Sequence, residues 1–476
     1  MLTLAHLIDA LTGYTLAGGM QVITDAVIDS RLASPGALFV ALPGERIDGH
    51  LFLDKAFERG AAVALVQEDV SGEFDVLDLR QPLTFERAAS LQAPICLRVD
   101  DSLIALQTVA RYWRAHLDVR VVGITGSVGK TTTKEIIAAV LGRRYRTLKS
   151  IGNLNNEIGL PISLLRLSEA HERAVLEMGF YTEGEIAFLC DLAQPQIGVI
   201  TNVYPVHVER AGSFENIVRG KGELVEALPE APEGVAILNA DEPDVLSMAS
   251  RTHARVVTYG LTSKAMLWAS DVVGLGLNGI RFQLHYRNET LHLTVPMLGR
   301  HSVHTALRAA AVGLVEGLAW QEIVEGLQSP EAQSQLRLYA VSGPNESLFL
   351  DDSYNASPES TVAALNLLAE MVAQRRIAVL GDMLELGNYT AEGHRVVGVR
   401  AADVADVLVT VGELAHMIAA EARKRGMPEE NILECGDRAT AEEAMRKMIR
   451  KGDVVLVKGS RDLRLDYLVQ VLEDHE

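Results

Sequence analysis

The chain has 476 residues and a formal net charge of −19, with 48% hydrophobic and 22% charged residues. At roughly 100–200 residues per domain this allows two to four domains, each large enough to bury a core. The negative field argues against a general nucleic-acid binder, no apolar run is long enough for a membrane span, and Cys96, Cys190 and Cys435 are too scattered for a disulfide framework or a zinc ribbon.

Met1 to Leu16 carries Asp9 and no basic region, so it does not read as a signal peptide, and a cytoplasmic location is expected. Residues 1–100 alternate short apolar runs, Gly36 to Pro43 and Ala61 to Val66, with turns, which predicts a small α/β domain. A second block, 101–328, opens with a helical stretch from Ser102 to His116. Strand candidates follow at Arg120 to Thr125, Ala174 to Glu177, Ile197 to Thr201 and Val235 to Leu238. Helical segments between them predict a doubly wound, mostly parallel sheet, and residues 253–296 read as an added antiparallel layer. The third block, 329–476, has strand candidates at Leu348 to Leu350, Ile377 to Leu380, Val407 to Val411 and Val454 to Val457, a Rossmann-like pattern. The fold class is thus α/β in three domains.

The strongest local signal is Thr125-Gly-Ser-Val-Gly-Lys-Thr-Thr132, between a strand and a helical run from Thr132 to Leu141. Backbone N–H groups and a helix N-terminus there would face an anion. Lys130 can reach the β- and γ-phosphates, and the Thr131 hydroxyl can coordinate Mg²⁺. A strict phosphate loop has Gly where Ile124 stands, so the pattern is the variant Gly126-x-x-Gly129-Lys130-Thr131. The loop by itself suits GTPases, kinases, motors and ligases alike. Further on, Lys221 lies four residues after Ile217 and three before Leu224, on an apolar helical stripe; such a lysine snorkels to water or has a special role.

Ordered motifs run through the rest of the chain. Asn153-Leu-Asn-Asn-Glu-Ile-Gly-Leu-Pro161 is followed by Glu177-Met-Gly179, Thr201-Asn202 with His207, Lys221-Gly-Glu223, Asn239-Ala-Asp-Glu-Pro243 and Gly299-Arg-His301. In this order they resemble the Mur ligase family, whose phosphate loop is the variant seen here. Asp351-Asp-Ser-Tyr-Asn-Ala-Ser-Pro358, Leu380-Gly-Asp-Met-Leu-Glu-Leu-Gly387 and Val457-Lys-Gly-Ser-Arg461 resemble its D-alanyl-D-alanine-adding branch. Asp29-Ser-Arg31 and Gly44 to His50 are similar to its UDP-binding domain.

The resemblance implies an ATP-dependent amide ligase of peptidoglycan synthesis, a monomer taking UDP-N-acetylmuramoyl-tripeptide and D-alanyl-D-alanine as partners, with no nucleic acid and no membrane span. ATP would phosphorylate the peptide carboxylate and the dipeptide amine would displace phosphate. Thr125, Gly126, Ser127, Val128, Gly129, Lys130, Thr131 and Thr132 would cradle ATP, and two Mg²⁺ would be held by Thr131, Glu177, His207 and a carbamylated Lys221. Arg337 would reach the γ-phosphate, and Asp352 the ribose. The Asn pair that the family carries after Gly-x-His stands here as Ser302 and His304, so His304 is taken as the adenine-side residue and adenine recognition stays open. Tyr204-Pro205-Val206 replaces small residues, and Leu336 the usual Gly. Ser30 and Arg31 would contact the uridine diphosphate, and Asn155 and Asn156 the muramoyl peptide. Asn355, Ala356 and Pro358 would shape the dipeptide pocket, with Lys458, Ser460 and Arg461 at phosphate or product. Gripping one γ-phosphate from two blocks requires the third block to rotate onto the second about residues 326–337, and a wide cleft is expected without ligand. The alternatives are another ligase of this superfamily, acting on folate or a different muramoyl peptide, and a phosphate-loop switch that forms no bond.

Overall fold

The computed structural model describes residues 1–16, 21–44, 47–70, 74–83, 92–329 and 338–473. Three sheets lie among them. The first has five parallel strands in the spatial order Ala26–Val27, Leu38–Val40, Val63–Val66, Ile95–Arg98 and Asp75–Asp78. Both apolar runs read from the sequence supply strands here, and Leu38–Val40 and Val63–Val66 are buried throughout, as parallel strands covered on both faces must be.

The central sheet has nine strands, ordered Glu289–Val295, Ile280–Tyr286, Leu267–Gly274, Arg255–Gly260, Val235–Asn239, Ile197–Ile200, Arg120–Thr125, Arg173–Glu177 and Thr147–Lys149. All neighbours are parallel except the two pairs at the Glu289–Val295 edge, which are antiparallel. The segment expected as an added layer therefore extends the same sheet. Ile280, Phe282 and Leu284 alternate onto one face and join the core with Val303, Leu307 and Ala310 of the helix Ser302–Val315. A helix already covers that face, so the hairpin gains more burial beside the sheet than on top of it.

The third sheet runs Tyr339–Gly343, Ser347–Asp351, Asp453–Lys458, Arg375–Gly381, Val407–Val411 and Ile432–Cys435, parallel apart from the first pair. One hydrophobic cluster joins Leu38, Leu65 and Leu97 to Leu106, Val109 and Trp113 of the helix Ser102–Ala115, and onward to Leu160 and Leu189. The helix Ser102–Ala115, between the last strand of the first sheet and the first strand of the second, is thus shared by both cores.

The second and third blocks meet. Arg300 pairs with Glu370 at 3.0 Å, Arg210 with Glu385 at 3.0 Å, and His207 with Glu385. Between them lies a cavity of about 600 Å³ lined from both sides. The expected wide cleft is not what the structure has: the two blocks are in contact through these ion pairs. Arg337 and most of the expected hinge lie outside the described residues.

Candidate active site

The phosphate loop follows the buried strand Arg120–Thr125 and leads into the helix Lys130–Leu141. Gly126 has φ +145°, and a Cβ there would stand 1.9 Å from Thr201 Oγ1, so glycine is the residue that fits. Gly129, at φ +81°, caps the helix in the left-handed conformation. Thr201 and Asn202 form the cradle beneath. Asn202 accepts from Ser127 N–H at its carbonyl (3.0 Å) and from Val128 N–H at Oδ1 (2.8 Å), while Thr201 Oγ1 donates to the Val128 carbonyl at 2.8 Å. The loop is thereby shaped in advance, with the helix N-terminus behind it. Lys130 folds back over it, donating to the Gly126 carbonyl at 2.9 Å.

Thr131 and Glu177 meet directly. Thr131 Oγ1 donates to Glu177 Oε2 at 2.8 Å, and Asn155 Nδ2 donates to Oε1 at 2.8 Å. Glu177 ends its strand 1% exposed, so its carboxylate is oriented by partners rather than by water. A hydroxyl and a carboxylate are hard oxygen donors of the kind Mg²⁺ takes. Lys221, on the helix Phe214–Glu226, is also 1% exposed and sits over the Phe180 ring at 4.7 Å. It does not snorkel. Burial foremost, and then the charge of Lys130, hold its pKa well below the usual amine range.

His207 has φ +61° and gives Nδ1 to Glu385 of the third block. Burial lowers its pKa and Glu385 opposes that. Among the described residues, no group of three or more His, Cys, Asp and Glu is placed to hold a metal ion, so His301 and His304 are not part of such a group. Burial pulls each of those two imidazoles down to about 4, and His304 Nδ1 is buried on the cavity wall with no hydrogen-bond partner.

On the opposite wall, the buried Lys458 donates to Asp352 Oδ2 at 2.6 Å and to the Asn355 carbonyl at 2.9 Å. It ties down the loop from Asp352 to Ser357. Asn355 Oδ1 accepts from Ala356 N–H at 2.9 Å, and Ser357 caps the helix Pro358–Glu370. Ser460 Oγ accepts from Leu384 N–H at 2.9 Å, while the Arg461 guanidinium lies 5.8 Å from the Tyr354 ring. The arrangement is a polyphosphate cradle facing a second wall of polar loops across one shared cavity.

Family models match along the chain: a Mur ligase family catalytic domain at residues 23–111, a Mur ligase middle domain at 124–313, and a Mur ligase glutamate ligase domain at 336–461. The UDP-N-acetylmuramoyl-tripeptide--D-alanyl-D-alanine ligase of Bacillus subtilis (strain 168) is 36% identical, over 95% of this chain and 93% of that one. The chain belongs to the Mur ligase family. The Escherichia coli (strain K12) enzyme of the same description is 34% identical over 99% of this chain and 98% of its own. Among solved structures, MurF from Acinetobacter baumannii superposes with a TM-score of 0.79 at 29% identity, and the Thermotoga maritima MurF ligase in complex with ADP with 0.76 at 26% identity, each over 98% of both chains.

In this Mur ligase the cavity brings together Ser127 to Thr132, Asn155, Glu177, His207, His304, Asp352, Asn355, Ala356, Lys458, Ser460 and Arg461. Thr125 and Gly126 stand behind that wall, and Pro358 begins the helix below it. Lys221 is buried beside it, and Asn156 lies next to a smaller hollow that also touches Lys130 and His207. Ser30 and Arg31 lie in the one-turn 3-10 helix Ser30–Leu32 that follows the strand Ala26–Val27 of the N-terminal sheet, with Arg31 paired to Asp29 at 2.6 Å. Five cavity residues had no role read for them from the sequence. Tyr204 O–H donates to Glu242 at 2.7 Å, and the buried Arg308 reaches the Thr201 carbonyl at 3.0 Å. Glu385 and Glu359 come from the third block. Arg308, a charge on an apolar helix four residues after His304, carried a readable signal. The pairing of Tyr204 with Glu242 carried none.

Proposed function

We propose that this Mur ligase joins D-alanyl-D-alanine to UDP-N-acetylmuramoyl-tripeptide through an acyl-phosphate intermediate, forming the pentapeptide precursor of peptidoglycan and releasing ADP and phosphate. The observation that carries the reading is the single cavity with the phosphate loop on one wall and the Asp352–Ser357 loop on the other. Transfer of the γ-phosphoryl group to a carboxylate brings two anions together, so positive charge and positioning must come from the site. Lys130 supplies charge at the β/γ-phosphates. The peptide carboxylate oxygen bonds to the γ-phosphorus as the bond to ADP breaks. The dipeptide amine then attacks the acyl carbon, phosphate leaves with its bonding pair, and the amine loses a proton. With both substrates bound, their own bulk would keep water from the acyl phosphate.

Thr131, Glu177, His207 and a carbamylated Lys221 would together hold two Mg²⁺, the carbamate serving the second ion; bound Mg²⁺ would neutralise phosphate charge. A neutral buried amine is the form that adds CO₂, which is why the depressed pKa of Lys221 supports the carbamate. The unpartnered Nδ1 of His304 supports its reading as the adenine-side residue, and Asp352 is taken as the ribose partner. Among the described residues no helix is long and apolar enough to cross a membrane. A cytoplasmic, monomeric enzyme meets both ATP and a UDP-linked substrate where they are made. The test is phosphate release with UDP-N-acetylmuramoyl-tripeptide, with and without D-alanyl-D-alanine. Release should require both. Hydrolysis of ATP indifferent to both would favour a nucleotide switch and sink the ligase reading.

A further inference from the structure

The contact between His207 and Glu385 joins two non-glycine residues whose backbones both lie in the left-handed region, at φ +61° and +62°. Such conformations persist where the surroundings over-determine them, and they gather at functional positions. Glu385 engages two groups at once. Oε2 takes His207 Nδ1 and Oε1 takes Arg210 at 3.0 Å. The Arg210 guanidinium stacks on the Tyr181 ring at 4.5 Å, and that ring meets the His207 imidazole edge-on at 5.2 Å.

The loop bearing Glu385 is set by its own domain. Ser460 Oγ accepts from Leu384 N–H at 2.9 Å, and the buried His394 accepts from Met383 N–H at Nε2 (3.1 Å). Gly387, at φ +53°, has space for a Cβ no closer than 3.5 Å to the Glu209 backbone, so the two loops pack directly. Glu385 is therefore presented to His207 by a fixed loop. With Nδ1–H donated to the carboxylate, the imidazole keeps its lone pair on Nε2, on a ring that lines the cavity.

We propose that Glu385 is a positioning residue for ligation: delivered by the C-terminal domain, it fixes the tautomer and orientation of His207 so that Nε2 serves the cation site of Thr131 and Glu177 only while the two domains are together. The proposal rests on the ligase reading and on His207 as a cation ligand. Carboxylates that orient a ligating histidine alter metal affinity without touching the metal. A plain interdomain ion pair would not.

The experiment uses the full chain with Mn²⁺ as probe and a non-hydrolysable ATP analogue, counting free Mn²⁺ by electron paramagnetic resonance. Half-saturating Mg²⁺ and kcat are followed in parallel. Glu385→Ala should weaken Mn²⁺ about 10–100-fold and raise the Mg²⁺ requirement in step, with a smaller effect on kcat at saturating Mg²⁺. Glu385→Gln keeps an acceptor for Nδ1–H and should recover part of the loss. Arg210→Ala breaks the other half of the contact and should leave Mn²⁺ affinity within about twofold, a margin well below the loss expected of an orienting carboxylate. Unchanged Mn²⁺ affinity in Glu385→Ala overturns the proposal, as does an equal loss in Arg210→Ala, which would make the contact a simple domain clasp. If the alanine variant does not fold, the glutamine variant decides on the same readout. Mn²⁺ binding is read without peptide substrates, so a parent chain lacking ligase activity would sink the ligase reading and leave this measurement distinct.

Discussion

Lys130→Ala separates catalysis from folding. In the structure the ammonium donates to the Gly126 carbonyl at 2.9 Å and approaches the Ser127 carbonyl at 3.4 Å, on the wall of an open cavity. Truncation frees carbonyls that water in the cavity can satisfy, so folding should lose about 1 kcal/mol, the net worth of one ordinary hydrogen bond. In a domain of this size that is a Tm fall of about 2–4 °C. The transition state loses far more. Removing one preorganised cationic or polar donor costs on the order of 10²–10³ in rate, about 2.7–4 kcal/mol. The rate effect should thus exceed the stability effect severalfold. The assay is kcat/KM for ATP by phosphate release at saturating tripeptide and dipeptide, beside a thermal melt. A kcat/KM within about threefold of the parent, less than a third of the expected loss in free energy, would refute the charge-compensation role. A collapse in Tm with proportionate loss of activity would make the lysine structural.

Gly126→Ala must displace Thr201 and adopt an unfavourable backbone, a strain on the order of 1–3 kcal/mol, so ADP affinity by calorimetry should fall by about fivefold or more while the N-terminal sheet stays intact. Lys221→Ala should lose activity and regain part of it with a small added carboxylate, and Lys221→Met should lose it without rescue; a fully active Lys221→Ala would remove the carbamate. Because burial holds the pKa of Lys221 below its unfolded value, the parent's stability should rise as pH climbs from the lowered folded value toward the unfolded amine range near about 10.4. In CO₂-free buffer Lys221→Met, which lacks that titration, should therefore be the more stable near neutral pH, with an advantage that shrinks by pH 10. Glu359 titrates in the opposite sense. Burial first, and then the nearby Glu242, raise its pKa, so folded-state stability falls as pH rises from the unfolded carboxylate range, about 4.3, toward the raised value. Glu359→Gln should then gain on the parent between pH 4 and pH 7.5 in urea unfolding, and a constant difference would show that the carboxylate is not buried as charge.

Parallel strands in each sheet were legible where strands covered on both faces are written as apolar runs, as in Arg120–Thr125 and Val407–Val411; the partly exposed Asp75–Asp78, Thr147–Lys149 and Ile432–Cys435 were not. The phosphate loop was legible because its demands are local: glycine where φ is positive, lysine one residue later, a strand before and a helix after. The edge strands were harder. Leu267–Gly274 and Ile280–Tyr286 alternate like any half-buried hairpin, and nothing in that alternation says whether they lie beside a sheet or on top of one. The residues bearing the chemistry were also set by the sequence: Lys130, Thr131, Glu177, Lys221 and His207 have their donors and acceptors wherever the chain places them. Only the tertiary structure decided what those groups meet. It put Lys221 under Phe180 instead of at the surface, engaged Lys458 with Asp352, and brought Glu385 onto His207 from 178 residues away. Hydrogen bonding and burial depend on distances of a few ångströms, and across such separations those distances follow from how whole domains pack, to which local pattern is blind.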